Sequence, residues 1–428
     1  MKEAVAVLVF VGAYVFIATE WVHRVIVALV GAGLMFLFRI LDASDAFSSE
    51  ELGVDWNVIF LLFGMMIIVG VLRHTGVFEY LAIWSAKRAR GRPFRVMTML
   101  VVITAAASAL LDNVTTILLV APVTVLIAER LELSPVPFLI AEVMASNIGG
   151  TATLVGDPPN IIIGSEAGLS YLDFLVNLGP LVLILLVAFV FLARWLFRDT
   201  FEDRPERAAE IMALDERDAL VGGTLLPKAL AVLGVVTLAF VLQGVLQYEP
   251  SVVALLGAGV LLLIARGETQ AYLREVDLAT LVFFMGLFVM VGALAKVGVI
   301  EYLAERVIDA TDGRLLVAVL LLLLVSVVLS AVVDNVPYVA TVAPVVVALA
   351  RAIPGDTTVL WWALAIGADL GGNATSIGAS ANVVMLGVAD RSGHPIRFVE
   401  FLKYGVIVTG ATIAVSILYV WIRYFALA

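Results

Sequence analysis

The 428-residue chain contains no cysteine and only three histidines. Without cysteine there are no disulfides, thiolate metal sites or thiol nucleophiles, and a soft metalloid would have to be held through oxygen or nitrogen. Charged residues are also scarce, at 14% of the chain, against about a quarter in soluble domains. No Walker motif, metal-ligand quartet or nucleophile elbow occurs, so neither an enzyme nor an ATP-driven pump is expected from this chain alone, and no cofactor. The net charge of -10 disfavours nucleic acid as a partner. What fills the chain is hydrocarbon: 62% of residues are hydrophobic and the mean hydropathy is +1.09. Apolar runs near the roughly 18 to 20 residues that span a bilayer recur, and the alternation of an outer-membrane barrel is missing. The expected class is an all-α, multi-pass integral membrane protein of the cell inner (plasma) membrane. The chain opens without a cleavable-leader pattern, so the run from 4 to 18 is expected to remain as a span.

Two halves of the chain repeat one another at a spacing of 222 residues without a gap. Asp55, Gly64, Gly70, Ser108, Asp112-Asn113-Val114, Ala121-Pro122-Val123, Gly149-Gly150, Thr153, Gly156 and Asn160 return as Asp277, Gly286, Gly292, Ser330, Asp334-Asn335-Val336, Ala343-Pro344-Val345, Gly371-Gly372, Thr375, Gly378 and Asn382. A duplicated membrane domain with polar, glycine-interrupted segments at matching places is the sequence signature of a secondary transporter with its site at the repeat interface.

Each repeat is expected to hold three spans, an interfacial helix, a re-entrant hairpin, a broken span and a last span. In the first repeat (1–198) these fall near 3–19, 25–41, 57–72, 77–90, 95–130, 136–165 and 176–197. In the second (227–428) they fall near 227–245, 250–265, 278–295, 299–311, 315–352, 358–388 and 402–424. The total is about 10 transmembrane helices plus 2 hairpins. Five crossings is an odd number, so the second copy would enter the membrane inverted. Basic residues cluster after the third span (Arg73, Lys87, Arg88, Arg90, Arg92, Arg95) and after the fifth (Arg194, Arg198, Arg204, Arg207). By the positive-inside tendency these loops are cytoplasmic, which makes 199–226 a cytoplasmic linker.

The polar residues concentrate where helices are expected to stop inside the membrane. Asp112 and Asp334, each followed by asparagine, sit in apolar runs at the hairpin tips, where a carboxylate costs about 2.5 to 3.5 kcal/mol on insertion scales. They suit N-caps of the second hairpin arm, although a neutral Ser or Thr would cap at less desolvation cost. The second concentration runs from Asn147 through Gly149, Gly150, Thr151, Thr153 and Asp157-Pro158-Pro159 to Asn160. Its counterpart runs from Asp369 through Gly371, Gly372, Asn373 and Thr375 to Asn382. Glycine pairs followed by small polar residues describe a span unwound at its midpoint, and paired prolines fit the first turn of the restarting half-helix. Such a break offers carbonyls, side-chain oxygens and a half-helix N-terminus to small ions or polar molecules. Close helix packing is the other use of these glycines. Together with Thr115 at the first tip, these are the candidate binding residues. Proton coupling is assigned to Asp112, Asp334 and Glu142, with Asp157 and Asp369 as the other buried acids. His23, His74 and His394 fall near span ends, outside any relay.

At these residues the chain resembles the ion transporter superfamily. The resemblance is to the branch holding arsenite and antimonite efflux permeases, the melanosomal P protein and related sodium/proton antiporters. It is carried by Asp112-Asn113-Val114-Thr115-Thr116, Ala121-Pro122-Val123-Thr124, Leu139 to Val143, Asn147 to Thr153 and Gly156-Asp157-Pro158-Pro159-Asn160. It implies a homodimer in which a scaffold supports a mobile unit of hairpins and broken spans working as an elevator. An ATPase subunit on the cytoplasmic face also fits the resemblance. Dicarboxylate-carrying members have Ser-Asn-Thr at the hairpin tips, where this chain has Asp-Asn-Val. That difference turns the expectation toward proton-coupled export of neutral arsenous or antimonous acid held by Asn113, Asn335, Thr153 and Thr375. Sodium/proton antiport and anion or dicarboxylate transport are the alternatives.

Overall fold

Each half of the chain folds into the same run of nine principal helices. In the first half these are α1 (Lys2–Thr19), α2 (Arg24–Leu37), α3 (Trp56–Arg73), α4 (Val77–Arg88), α5 (Pro93–Leu110), α6 (Asn113–Arg130), α7 (Val136–Gly150), α8 (Pro158–Ala167) and α9 (Tyr171–Leu196). In the second they are α10 (Leu225–Val241), α11 (Pro250–Ala265), α12 (Leu278–Lys296), α13 (Val299–Thr311), α14 (Leu315–Ser330), α15 (Asn335–Ala352), α16 (Thr358–Gly371), α17 (Ser380–Arg391) and α18 (Phe398–Trp421). This computed structural model describes residues 2–19, 21–49, 52–201, 209, 211–221, 223–265 and 269–426, and among them there is no strand.

Eight of the described helices are long and apolar enough to cross a membrane: α1, α3, α5, α6, α9, α12, α15 and α18. The pair α13 and α14, bent by 118°, makes up to nine. The helices α2, α7, α10 and α11 are apolar but shorter, so the expected ten crossings are not each a single long helix. The first and second hairpins turn between α5 and α6 and between α14 and α15, and the broken spans are α7 with α8 and α16 with α17. One boundary differs from expectation for a local reason. Helix α9 begins at Tyr171, five residues ahead of the apolar run, because Ser170 and Asp173 form a capping box. Asp173 N donates to Ser170 Oγ at 3.2 Å and Ser170 N to Asp173 Oδ2 at 2.8 Å.

Packing follows the duplication reciprocally. Helix α2 of one half lies on α12 of the other, and α11 lies on α3. These contacts depend on glycine: a Cβ at Gly64 would sit 2.7 Å from the Ala254 backbone carbon, and one at Gly286 would sit 2.9 Å from that of Ala28. Small residues allow such approach where no hydrophobic drive separates helix from lipid. Within each half the first hairpin arm runs along the first part of the broken span, α5 on α7 and α14 on α16. The halves then exchange partners, with α17 packed on α6 and α8 on α15. The two breaks are thereby brought against both hairpin tips.

Of the linker 199–226, Arg204 and Arg207 lie outside the described residues. Its described part is tied to α4. Val221 N donates to Thr75 O at 3.0 Å, Lys87 Nζ donates to Leu214 O at 2.8 Å, and Lys87 also pairs with Glu216. The Lys87 ammonium holds the Glu216 carboxyl below the usual carboxylate range. A depressed acid stabilises the fold above its unfolded value, about 4.3, and the contribution is lost as pH falls through the lower folded value. Limited proteolysis of the solubilised protein is therefore expected to cut the linker faster as the pH drops below about 4, and Lys87→Met to show the faster cutting already at neutral pH.

Candidate functional site

Both breaks are built on glycines that face each other. A Cβ at Gly150 would lie 2.6 Å from Gly156 O, and one at Gly372 would lie 2.9 Å from Gly378 O. The carbonyls freed by the break are taken up within it. Asn160 Nδ2 donates to Gly150 O (3.2 Å) and Thr153 O (3.1 Å), and Asn382 Nδ2 donates to Gly372 O and Thr375 O (both 2.8 Å). The threonines fasten each break to its hairpin: Thr153 Oγ1 donates to Ala109 O and Thr375 Oγ1 to Ala331 O, both at 2.5 Å. Gly149 and Gly371 let α5 and α14 approach, their absent Cβ positions lying 2.2 Å from Ala105 O and 2.8 Å from the Val327 Cα. These residues therefore shape the site and hold the breaks open.

Asp157 occupies the centre. It is the N-cap residue of α8, yet its side chain caps nothing there: Pro158 and Pro159 have no N–H, and the next one, on Asn160, is donated to the Asp157 backbone carbonyl at 3.0 Å. Its carboxylate is left for the hairpin tips. Asn113 Nδ2 donates to Asp157 Oδ2 at 2.7 Å, and Asn335 Nδ2 donates to the same oxygen at 3.2 Å and to Oδ1 at 3.4 Å. One asparagine from each half thus meets one carboxylate, which is 1% exposed. Behind it lies an amide chain. Asn113 Nδ2 also donates to Asn147 Oδ1 (3.1 Å), Asn147 Nδ2 to Asn373 Oδ1 (2.9 Å) and Asn382 Oδ1 (3.1 Å), and Asn373 Nδ2 to Met144 O (3.3 Å). Thr151 Oγ1 donates to Asn147 O at 2.9 Å.

The aspartates at the tips have other duties. Asp112 Oδ1 accepts Thr115 N at 2.7 Å and caps α6. Asp334 caps α15 through Val336 N (3.3 Å), accepts from Ser380, and pairs with Arg24 of α2 at 3.4 Å. Arg24 also donates to Ser380 Oγ (3.1 Å) and to Thr280 Oγ1 of α12 (3.0 Å). Arg24 thereby joins α2 and α12 to the second hairpin tip by charge, and neither its sequence neighbours nor its position near a span end marked it beforehand. Both tips and Asp157 line one cavity of about 840 Å³. Its acids are Asp112, Asp157, Asp277, Asp334 and Glu275, set against Arg24, Arg73, Arg274 and His23. Arg73 and His74 both engage Glu275, at 2.6 and 3.3 Å. Glu142 and Asp369 are absent from the lining. Glu142 accepts from Thr124 Oγ1 at 2.6 Å within the helix packing, and Asp369, fully buried on α16, has no hydrogen-bond partner on either oxygen.

Comparison with known proteins aligns with this architecture. A family model described as a citrate transporter, CitMHS, matches residues 14–367. An uncharacterised transporter of Mycobacterium tuberculosis is 53% identical over 427 residues, covering 99% of both chains. A 46 kDa membrane protein of Mycobacterium leprae is 51% identical over 428 residues, covering all of both. The human P protein is 34% identical over 491 residues, covering 94% of this chain and 58% of that protein. Among solved structures, the YdaH transporter of Alcanivorax borkumensis superposes with a TM-score of 0.59 at 14% identity, covering 85% of each chain. That likeness is one of fold.

Proposed function

This chain belongs to the citrate transporter family CitMHS and is a membrane transporter, and on that premise we propose that it exports trivalent arsenic or antimony in exchange for protons. The observation that supports it is Asp157, a buried carboxylate held by one asparagine amide from each half and bonded to no basic side chain. A charge so placed calls for a countercharge that comes and goes, and a proton is the smallest. The cargo is neutral arsenous or antimonous acid, whose hydroxyls suit asparagine. Asn113 Oδ1 is buried and unpartnered beside Asp157, an acceptor in waiting for such a hydroxyl. Acids outnumber bases around the cavity, which favours a neutral cargo over a polyanion.

The movement is an elevator in which the hairpins and broken spans shift against α1 to α3 and α10 to α12, with Arg24 released from Asp334 on the way. The protein works as a homodimer in the plasma membrane, with its cytoplasmic face open to an ATPase subunit. Two other readings have specific support. The buried Asp157 carboxylate also suits sodium/proton antiport. Arg274 at the cavity, together with the family description, suits an organic anion.

Everted vesicles separate the three. Arsenite-dependent proton flux supports the proposal. Sodium-driven alkalinisation without an arsenite response would replace it with antiport, and uptake of citrate or succinate would replace it with anion transport.

A further inference from the structure

Asp369 has an internal control in the other half of the chain. By the repeat spacing Asp369 corresponds to Asn147, Thr151 to Asn373, and Asn160 to Asn382. Asn147 donates an N–H to Asn382 Oδ1 at 3.1 Å, so the position supplies a donor to the asparagine that braces the opposite break. Asp369 faces the corresponding pair, Thr151 and Asn160. Both donate elsewhere. Asn160 Nδ2 donates both of its hydrogens to Gly150 O and Thr153 O, and the Thr151 hydroxyl donates to Asn147 O. Asn160 Oδ1 and both Asp369 oxygens are buried without partners. Both Asp369 oxygens are thus buried acceptors without a hydrogen, an arrangement that costs most when the acceptor is charged.

We propose that Asp369 is a second proton site, its carboxyl proton directed to Asn160 as the Asn147 amide hydrogen is directed to Asn382 Oδ1. The O–H bond supplies the donor that Asn147 supplies in the other half. The elements packed on α16 are α7, α8, α14, α15 and α18. Their titratable side chains are Glu142, Glu166, Tyr338, Arg351, Glu400, Lys403, Tyr404 and Tyr419, with Asp157 just ahead of α8. Of these, Asp157 interacts with Asp369 through charge. Two neighbouring carboxylates in a dry interior do not both ionise, and Asp157, which accepts from two amides, is the better equipped of the two to hold the charge. The site lies outside the cavity lining, where a proton fits and a hydrated cation does not. Its place in the exchange cycle, as a proton held back until Asp157 is neutralised, rests on the transport reading above. Its existence does not.

The test needs no cargo. Infrared spectra of the purified protein in H₂O and D₂O near neutral pH should contain a carboxylic-acid C=O band that is lost in Asp369→Asn. That variant recreates the Asn147 arrangement and should therefore fold. Aspartate-specific carboxyl 13C labelling of otherwise wild-type protein shifts the band and separates it from Glu142 without altering Asp369. Identical spectra for wild type and Asp369→Asn would overturn the assignment. Thermal stabilisation by NaCl over choline chloride that vanishes in Asp369→Asn would overturn it too, by placing a metal cation there.

Discussion

Asp157→Asn should abolish coupled transport while the protein still inserts, whereas Asp112→Asn should keep most of it. In wild type, Asp157 accepts from Asn113 and Asn335, one from each half. An amide at 157 loses the charge, keeps one acceptor and turns an NH₂ group toward a second NH₂. A hydrogen bond to a charged group contributes about 1.5 to 3 kcal/mol and a neutral one about 1, so losing one and neutralising the other weakens the arrangement by about 3 kcal/mol, roughly a hundredfold in equilibrium. No proton can load there at all. Asp112 differs because its carboxylate caps α6 through Thr115 N, and Asn caps nearly as well as Asp. Counterflow measured in proteoliposomes for both variants, normalised to protein in the membrane, checks the order. Counterflow in Asp157→Asn within a few-fold of wild type would sink the central role of this carboxylate.

The contrast between these two aspartates marks how far the residues alone could be read. The repeat, the helical class, the hairpins and both broken spans follow from spacing, hydropathy and glycine pairs, since each is local in sequence. Asn113, Asn335, Asp157 and the Asn147–Asn373–Asn382 chain were all legible as candidates, because polar groups at membrane depth are few. Their ranking was not. The aspartates at the tips carried the proton-coupling expectation, yet the carboxylate that meets both hairpin asparagines is Asp157, which two prolines follow and whose next N–H, on Asn160, goes to its own carbonyl. The prolines were visible in Asp157-Pro158-Pro159, and the Asn160 bond was not. Arg24 was beyond reach, since its bond to Asp334 spans 310 residues and depends on the exchange of partners between halves. Asn160 and Asn382 looked like ligands, and each amide nitrogen is taken by carbonyls of its own break.

Gly149→Ala should cost more stability than any other single methyl added to the broken spans, and the reason lies in what surrounds it. The new Cβ would stand 2.2 Å from Ala105 O and 2.6 Å from Ala105 Cα, both backbone atoms of α5, so no rotamer change relieves the contact. Either α5 and α7 move apart, or the break that begins one residue later shifts and takes Asn147 and Asn160 with it. Overpacking costs about 1 to 3 kcal/mol and occasionally more, a sizeable fraction of a net stability of about 5 to 15 kcal/mol. Gly371→Ala, at the matching place, meets Val327 at 2.8 Å and should cost less. Gly12→Ala and Gly234→Ala have nothing within 4 Å of the added carbon and should be neutral or stabilising by up to about 1 kcal/mol through helix propensity. Thermal midpoints and monodisperse yield in detergent for the four variants give the order directly. A Gly149→Ala protein as stable as Gly234→Ala would mean that α5 and α7 are not held at backbone contact, and the cradle that positions the Asp157 site would lose its basis.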